Sequence, residues 1–197
     1  MALVLNGSSD TITGLQINSA NIVDGSIVNA DINASAAIAS TKLSGISAGI
    51  THANTWYLTT AFTGNADPMI NWSTYDLAGA GNLGTSMTES SGVWTFPVTG
   101  FWKVEMSAYG YGSGTNSYAI YSTISTNSGS SYNNSSLRRS YSNIPSISGT
   151  WYSTSYQTYI YDVTNVSTTR LKVVMEGNPN NIDAGGTFVR FIRLAST

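Results

Sequence analysis

The sequence predicts an all-β chain: a C-terminal jelly-roll sandwich over residues 51–197, preceded by a short five-residue-repeat shaft or anchor over residues 1–50. Two observations carry this. Beyond His52, short apolar runs alternate with turn-rich breaks, and no long helical pattern interrupts them. Ahead of His52, isoleucine recurs at every fifth residue, a period that neither an amphipathic helix nor a flat alternating strand produces.

The repeat comes first. It consists of Ile12, Ile17, Ile22, Ile27 and Ile32, with Ala20, Gly25 and Ala30 two residues ahead of the last three. Such a period suits a backbone that turns its wall at each unit, Ile inward and a small residue beside it. Over residues 10–37 it resembles pentapeptide-repeat coils. One coil has no stacked neighbour to bury its core, so three chains or another protein must supply one. The alternative is a Ser/Asn-rich leader whose spacing is coincidental. Residues 34–50 form a joint in which an Ala run can hold a helical turn, ended by Gly45 and Gly49. From Gly25 to Leu43 the chain also resembles a segment of phage structural proteins, particularly those of marine cyanobacteria. That segment is an aspartate-containing Ile/Ala repeat closing in Lys-Leu, here Ala30-Asp31-Ile32 through Lys42-Leu43. The resemblance implies a virion shaft or anchor held by other virion proteins.

The strands follow. Trp56 to Phe62 and Met69 to Trp72 are apolar runs separated by Gly64 to Pro68. Next, Trp94, Phe96 and Val98 alternate on one face, and Trp102, Val104 and Met106 alternate after a turn at Gly100. Tyr118 to Ile124, Tyr156 to Val163, Leu171 to Met175 and Phe188 to Leu194 complete about eight strands. Gly110-Tyr111-Gly112-Ser113-Gly114 reads as a mobile loop; no helix follows to make it a phosphate cradle.

Two segments are more specific. Trp94-Thr95-Phe96-Pro97-Val98-Thr99-Gly100-Phe101-Trp102-Lys103-Val104 resembles the strand-turn-strand of the tumour necrosis factor and complement globular-head family. Gly185-Gly186-Thr187-Phe188-Val189-Arg190-Phe191-Ile192-Arg193-Leu194 resembles that family's last, Phe-rich strand. Trp102 and Arg190 stand where the family usually has smaller or apolar residues. The resemblance implies a ten-stranded jelly roll assembled as a compact homotrimer. Trp102, Tyr109, Tyr111, Tyr159 and Tyr161 exceed what one small core needs, and a three-fold interface is a natural place for the surplus. The alternative is that they are ordinary core and strand residues.

Composition narrows the chemistry. Eight Lys/Arg against ten Asp/Glu give a net charge of -2, which disfavours affinity through phosphate neutralisation and hence a nucleic-acid partner. With no cysteine there is no disulfide, thiolate metal site or thiol nucleophile. His52, the one histidine, lies at the joint and has no triad around it in sequence. Asp162, Glu176 and Asp183 are spaced no differently from solvated or turn acids, so no hydrolytic pair is drawn from them. Asn178 to Asp183 offers oxygen atoms of the kind calcium takes, but those residue types equally make turns. The expectation is no catalytic residue, no metal and no cofactor.

No run approaches the roughly 18 apolar residues of a membrane span. The start, Met1 to Gly7, lacks the basic region of a signal peptide. The expected location is therefore the virion, reached by assembly in a host cytoplasm. The expected function is a non-enzymatic phage structural protein, a trimeric fibre contacting a host surface glycan or protein. Capsid decoration without receptor binding is the alternative, and a bacterial lectin-like adhesin a further one. Loops rich in Tyr, Ser, Asn and Gly suit recognition, since Tyr gives rigid contact area and the small polar residues adapt their hydrogen bonds. The receptor-contact candidates are Tyr109, Tyr111, Tyr132, Arg138, Arg139, Tyr141, Trp151 and Tyr152.

Overall fold

In the computed structural model the described residues are 49–74, 81–133, 139, 141–146 and 148–197, with Ile22, Ile27, Val28, Ala30, Ile32, Asn33, Ser35, Ala36 and Ile38. The chain divides into two compact units, Met1–Ile46 and Ser47–Thr197. In the first, Ile22, Ile27 and Ile32 are exposed, at 44%, 56% and 41%. Ile12 and Ile17 lie outside the described residues.

The second unit is a sandwich of two antiparallel five-stranded sheets. Its strands are β1 (Ala53–Leu58), β2 (Trp72–Thr74), β3 (Thr88–Ser90), β4 (Val93–Thr95), β5 (Gly100–Ser113), β6 (Asn116–Ser125), β7 (Ser142–Ile144), β8 (Thr150–Val163), β9 (Arg170–Glu176) and β10 (Phe188–Ala195). One sheet runs β2-β1-β10-β5-β8 and the other β3-β4-β9-β6-β7. Among the described residues no helix is long and apolar enough to cross a membrane.

The core is built from the inward positions of the alternating strands. Trp102, Val104, Met106 and Ala108 of β5, Ile120 of β6, Leu171 and Val173 of β9, and Val189 and Phe191 of β10 are all fully buried. Trp94 is their hub: its ring meets Trp72 at 5.4 Å and Phe191 at 5.7 Å, in the tilted geometry aromatic pairs prefer. Phe96 bridges Trp102 at 5.4 Å and Phe191 at 6.4 Å. Trp102 thus fills the core where a smaller residue was the family expectation, and its indole N–H donates to the Val98 carbonyl at 3.2 Å. Burial of this kind contributes roughly 25 cal/mol per Å² of apolar surface and dominates the stability of the sandwich.

Polar side chains join the sheets near β8. The Tyr118 hydroxyl donates to the Ser153 carbonyl at 2.6 Å, the Ile120 amide donates to Ser155 Oγ at 3.1 Å, and the Ser122 and Tyr161 hydroxyls pair at 2.9 Å. These bonds give buried polar atoms the partners that burial demands. Burial pushes the Tyr161 phenol up to about 12, against the opposing hydrogen bond from Ser122.

The two recognisable sequence segments are neighbours in space. β5 and β10 pair antiparallel from Phe188↔Ser107 to Ala195↔Phe101. Gly100 opens β5 at φ +141°, and a Cβ there would lie 2.3 Å from the Ala195 carbonyl oxygen. Only glycine lets β10 finish against the start of β5. Arg193 fixes the same corner, its Nε donating to the Thr99 carbonyl at 2.8 Å.

Three expectations need correction. Residues 110–113 are not a mobile loop but the end of β5, paired with β8 from Gly110↔Ser153 to Ser113↔Thr150. Glycine is needed at 110 because a Cβ would lie 2.7 Å from the Tyr118 hydroxyl. β8 begins at Thr150 rather than Tyr156, so Trp151 and Tyr152 belong to a strand. Trp102, Tyr159 and Tyr161 are not interface surplus: Trp102 is in the core and the two tyrosines pack against it.

Gly100→Ala is expected to displace the end of β10 and cost about 1–3 kcal/mol, the scale of a forced backbone outlier. Urea unfolding should show a lowered midpoint at an unchanged slope.

Candidate binding surfaces

Alternation along β5 and β8 sends one set of side chains inward and leaves the other on the open face of their sheet. Six of the outward side chains are aromatic or aliphatic, Phe101, Tyr109 and Tyr111 from β5 with Tyr152, Tyr156 and Ile160 from β8, and Lys103, Glu105, Thr154, Thr158 and Asp162 stand among them. Tyr152 is 66% exposed and Ile160 63%. Tyr109 and Tyr152 stack at 6.2 Å with ring planes 12° apart, and Tyr111 leans on Tyr152 at 6.3 Å.

On the same face β10 contributes Phe188 and Arg190. Arg190 donates to Glu105 at 3.3 Å, and Lys103 bridges to Glu105 at 2.6 Å. The Lys103 hydrogen bond holds the Glu105 carboxyl below its ordinary value, against a desolvation effect in the other direction. An open cavity of about 340 Å³ lies between β1, β10 and residues 81–82, lined by Tyr57, Phe188 and Arg190 among others.

The outer face of the second sheet differs in chemistry. Tyr121 and Thr123 of β6 point outward opposite Val174 and Lys172 of β9, as the register Tyr121↔Val174 and Thr123↔Lys172 requires. The chain between β6 and β7 brings Tyr132, Arg139 and Tyr141 to this face, and residue 67 approaches from between β1 and β2. Arg139 ion-pairs with Glu176 and stands 4.3 Å over the Tyr121 ring. The Tyr141 hydroxyl donates to the same carboxylate. Lys172 ion-pairs with Asp67 at 2.5 Å and stands 4.6 Å from the Tyr132 ring centre. Burial pushes the Tyr121 phenol up, the nearby Arg139 charge opposing it.

The sequence candidates therefore fall into two groups. Tyr109, Tyr111 and Tyr152 come together on the apolar face, and Tyr132, Arg139 and Tyr141 on the polar one. Arg138 lies outside the described residues. Trp151 is a correction: it is 4% exposed, stacked on Tyr118 at 6.3 Å, and serves the core rather than a receptor. Residues that sequence reasoning missed are Tyr156 and Ile160 on the first face and Asp67, Tyr121, Thr123, Lys172 and Glu176 on the second. Alternation along β6 and β9 was the available signal, but their mutual register was not visible in the sequence.

His52 packs its ring 5.9 Å from Trp102, with Nδ1 sharing a 2.9 Å hydrogen bond with Thr51 Oγ1. Among the described residues no three His, Cys, Asp or Glu side chains cluster to hold a metal ion. Asp183 Oδ2 accepts the Gly186 amide at 2.9 Å, which is turn chemistry.

Solved structures with this architecture place the fold. Murine APRIL at pH 5.0 superposes with a TM-score of 0.53 at 14% identity, over 73% of this chain and 98% of that one. The Eiger TNF of S. frugiperda gives 0.50 at 14% identity, over 76% and 96%. The sandwich is a jelly roll of the tumour necrosis factor type. No protein-family model matches the sequence, nor does any curated protein.

Because the folded-state pKa of Glu105 is depressed, its pairs stabilise above the ordinary carboxylate range, and that stability is lost as pH falls through the lowered value. Thermal melts of wild type and Glu105→Gln should differ at pH 7, by less than about 1 kcal/mol because both cationic partners are well exposed, and converge at acidic pH.

Proposed function

We propose that the chain is a non-enzymatic virion protein whose jelly roll assembles as a homotrimer and presents its polar faces to a host surface. The observation that carries the assembly is the outer face of β5 and β8. β8 is a fourteen-residue edge strand, and Tyr152, Tyr156 and Ile160 project from it into solvent in the single chain. A long edge beside an apolar patch is an aggregation hazard unless something covers it. Further copies of the same chain cover it without leaving an open interface when the symmetry closes. The cavity beside Phe188 and Arg190 offers a socket for a neighbour's side chain. The resemblance of residues 94–104 and 185–194 to a trimer-forming family supports the same arrangement.

Virion attachment is supported by the Ile/Ala repeat and its likeness to phage shaft segments. The exposure of Ile22, Ile27 and Ile32 fits side chains awaiting a partner. Contact with the host is supported by the polar face, where tyrosines stand among paired charges, and three copies multiply weak contacts through effective concentration. Capsid decoration is the second reading. It draws support from the consumption of Arg139 and Tyr141 in bonds to Glu176, which leaves less of them for a receptor.

Sedimentation of the full chain at micromolar concentration should give a trimer. Ile160→Asp together with Tyr156→Asp should give monomers with unchanged circular dichroism, since each places a charge in a desolvated interface. A wild-type monomer, or a trimer indifferent to both substitutions, overturns the assembly. Deleting residues 1–50 should leave a folded head that is not incorporated into particles. Microscopy of intact virions then separates the readings: a tail or fibre position supports host contact, and an even distribution over the shell supports decoration.

A further inference from the structure

We propose that the homotrimer comes apart in acid and that the Glu105 carboxylate is the group that senses it, an inference that rests on the assembly reading above. The outward residues of the first sheet form rows across its strands, fixed by register. The middle row is Thr55, Arg190, Glu105 and Thr158, from β1, β10, β5 and β8 in turn. On one side of it lie Tyr57, Phe188, Ser107 and Tyr156, and on the other Ala53, Ile192, Lys103 and Ile160. A polar belt therefore crosses the face assigned to further copies of the chain.

Glu105 is the node of that belt. Lys103 Nζ lies 2.6 Å from its Oε1, and Arg190 Nη1 lies 3.3 Å from its Oε2. From β8 the Tyr156 hydroxyl donates to Oε1 at 3.4 Å, and Arg190 Nε donates onward to Thr55 Oγ1 at 3.2 Å. One carboxylate thus serves two cations. The Glu105 side chain is 12% exposed, whereas Lys103 and Arg190 keep 36% and 44% exposure, so a neighbour packing here takes the cations out of water. Among the outward positions of β1, β5, β8 and β10 the other acid is Asp162, opposite Phe101. It stands roughly 13 Å along the strands from Glu105, too far to take its place.

The sign follows from the charges. With Glu105 ionised the cluster carries one net positive charge; with Glu105 protonated it carries two. The cost of taking charge out of water rises steeply with its amount, and the three clusters of a trimer then repel one another more strongly. The assembled form therefore holds Glu105 ionised more firmly than the single chain does, and proton uptake favours the single chain. Within one chain the Lys103 hydrogen bond already holds the carboxyl below its ordinary value, against desolvation. Assembly is complete above the ordinary carboxylate range and is lost as pH falls through the lowered value.

Sedimentation of the full chain from about pH 7.5 down to about pH 3.5, with circular dichroism alongside, tests this. Wild type should pass from trimer to folded monomer, the concentration for half-assembly rising at least about tenfold. Glu105→Gln should assemble as weakly at neutral pH as wild type does in acid, and its assembly should no longer change with pH. Diluted until both are monomers, the two proteins should differ in stability only by the small amount that exposed ion pairs contribute. Removing the cations as well should restore assembly, so that Lys103→Met/Glu105→Gln/Arg190→Met is a trimer at both ends of the range. Asp162→Asn should keep the wild-type transition. A trimer that persists at the acid end, dissociation seen only with loss of circular dichroism, or a Glu105→Gln protein that still dissociates as pH falls overturns the acid response while leaving the trimer in place. A transition abolished by Asp162→Asn, or a folded triple variant that fails to assemble, does the same. A wild-type monomer at about pH 7.5 overturns the assembly reading itself, and the acid response with it.

Discussion

The strand β5 is the constraint on which both the core and the surface depend. It pairs with β10 on one side and β8 on the other, so its two-residue period is imposed on three strands at once. Trp102, Val104, Met106 and Ala108 go to the core because Phe101, Lys103, Glu105 and Tyr109 go to the outer face. A slip of one residue would exchange the two sets. The register is held at Gly100, where the Ala195 carbonyl comes too close for any side chain. The aromatic hub and the apolar outer face are thus two results of one alignment.

The two sheets divide the surface chemistry between them. The first presents rings and an isoleucine in the open, a surface suited to close packing against another protein. On the second, each of Lys172 and Arg139 has both a carboxylate and a tyrosine ring beside it. In a chain with so few charges such pairing is selective, and it keeps that face wettable without giving it a strong field. The outer surfaces of the two sheets face opposite ways, so the rings of the first and the paired charges of the second do not share one surface.

Much of the sandwich was legible in the sequence, for reasons that can be named. Trp94, Phe96, Trp102, Val104 and Met106 show a clean period of two, and their burial follows it. β3 and β7 were not anticipated, since Thr88-Glu89-Ser90 and Ser142-Asn143-Ile144 are short and mostly polar and pair only through their neighbours. In β8, aromatics fall on both faces: Tyr156 outward, Tyr159 and Tyr161 inward. Periodicity therefore cannot say which tyrosines belong to the core. The 110–113 segment misled because its glycines signal a turn in sequence, whereas in the fold they make room for Tyr118, Asn180 and Trp151. The polar face draws on residues from positions 67 to 176, and only the register of β6 on β9 brings them together.

The pairing of the first and last strands has a mechanical meaning. β1 lies against β10 from Ala53↔Ile192 to Tyr57↔Phe188, and the Arg193 amide donates to the His52 carbonyl at 2.9 Å beyond the end of that ladder. Tension applied to the chain ahead of Ala53 runs along β1, perpendicular to its inter-strand hydrogen bonds. Those bonds are then strained together in shear rather than opened one after another. A jelly roll tethered through its first strand resists extraction by the whole β1–β10 ladder at once, which suits a module that must stay folded while its surroundings pull on it.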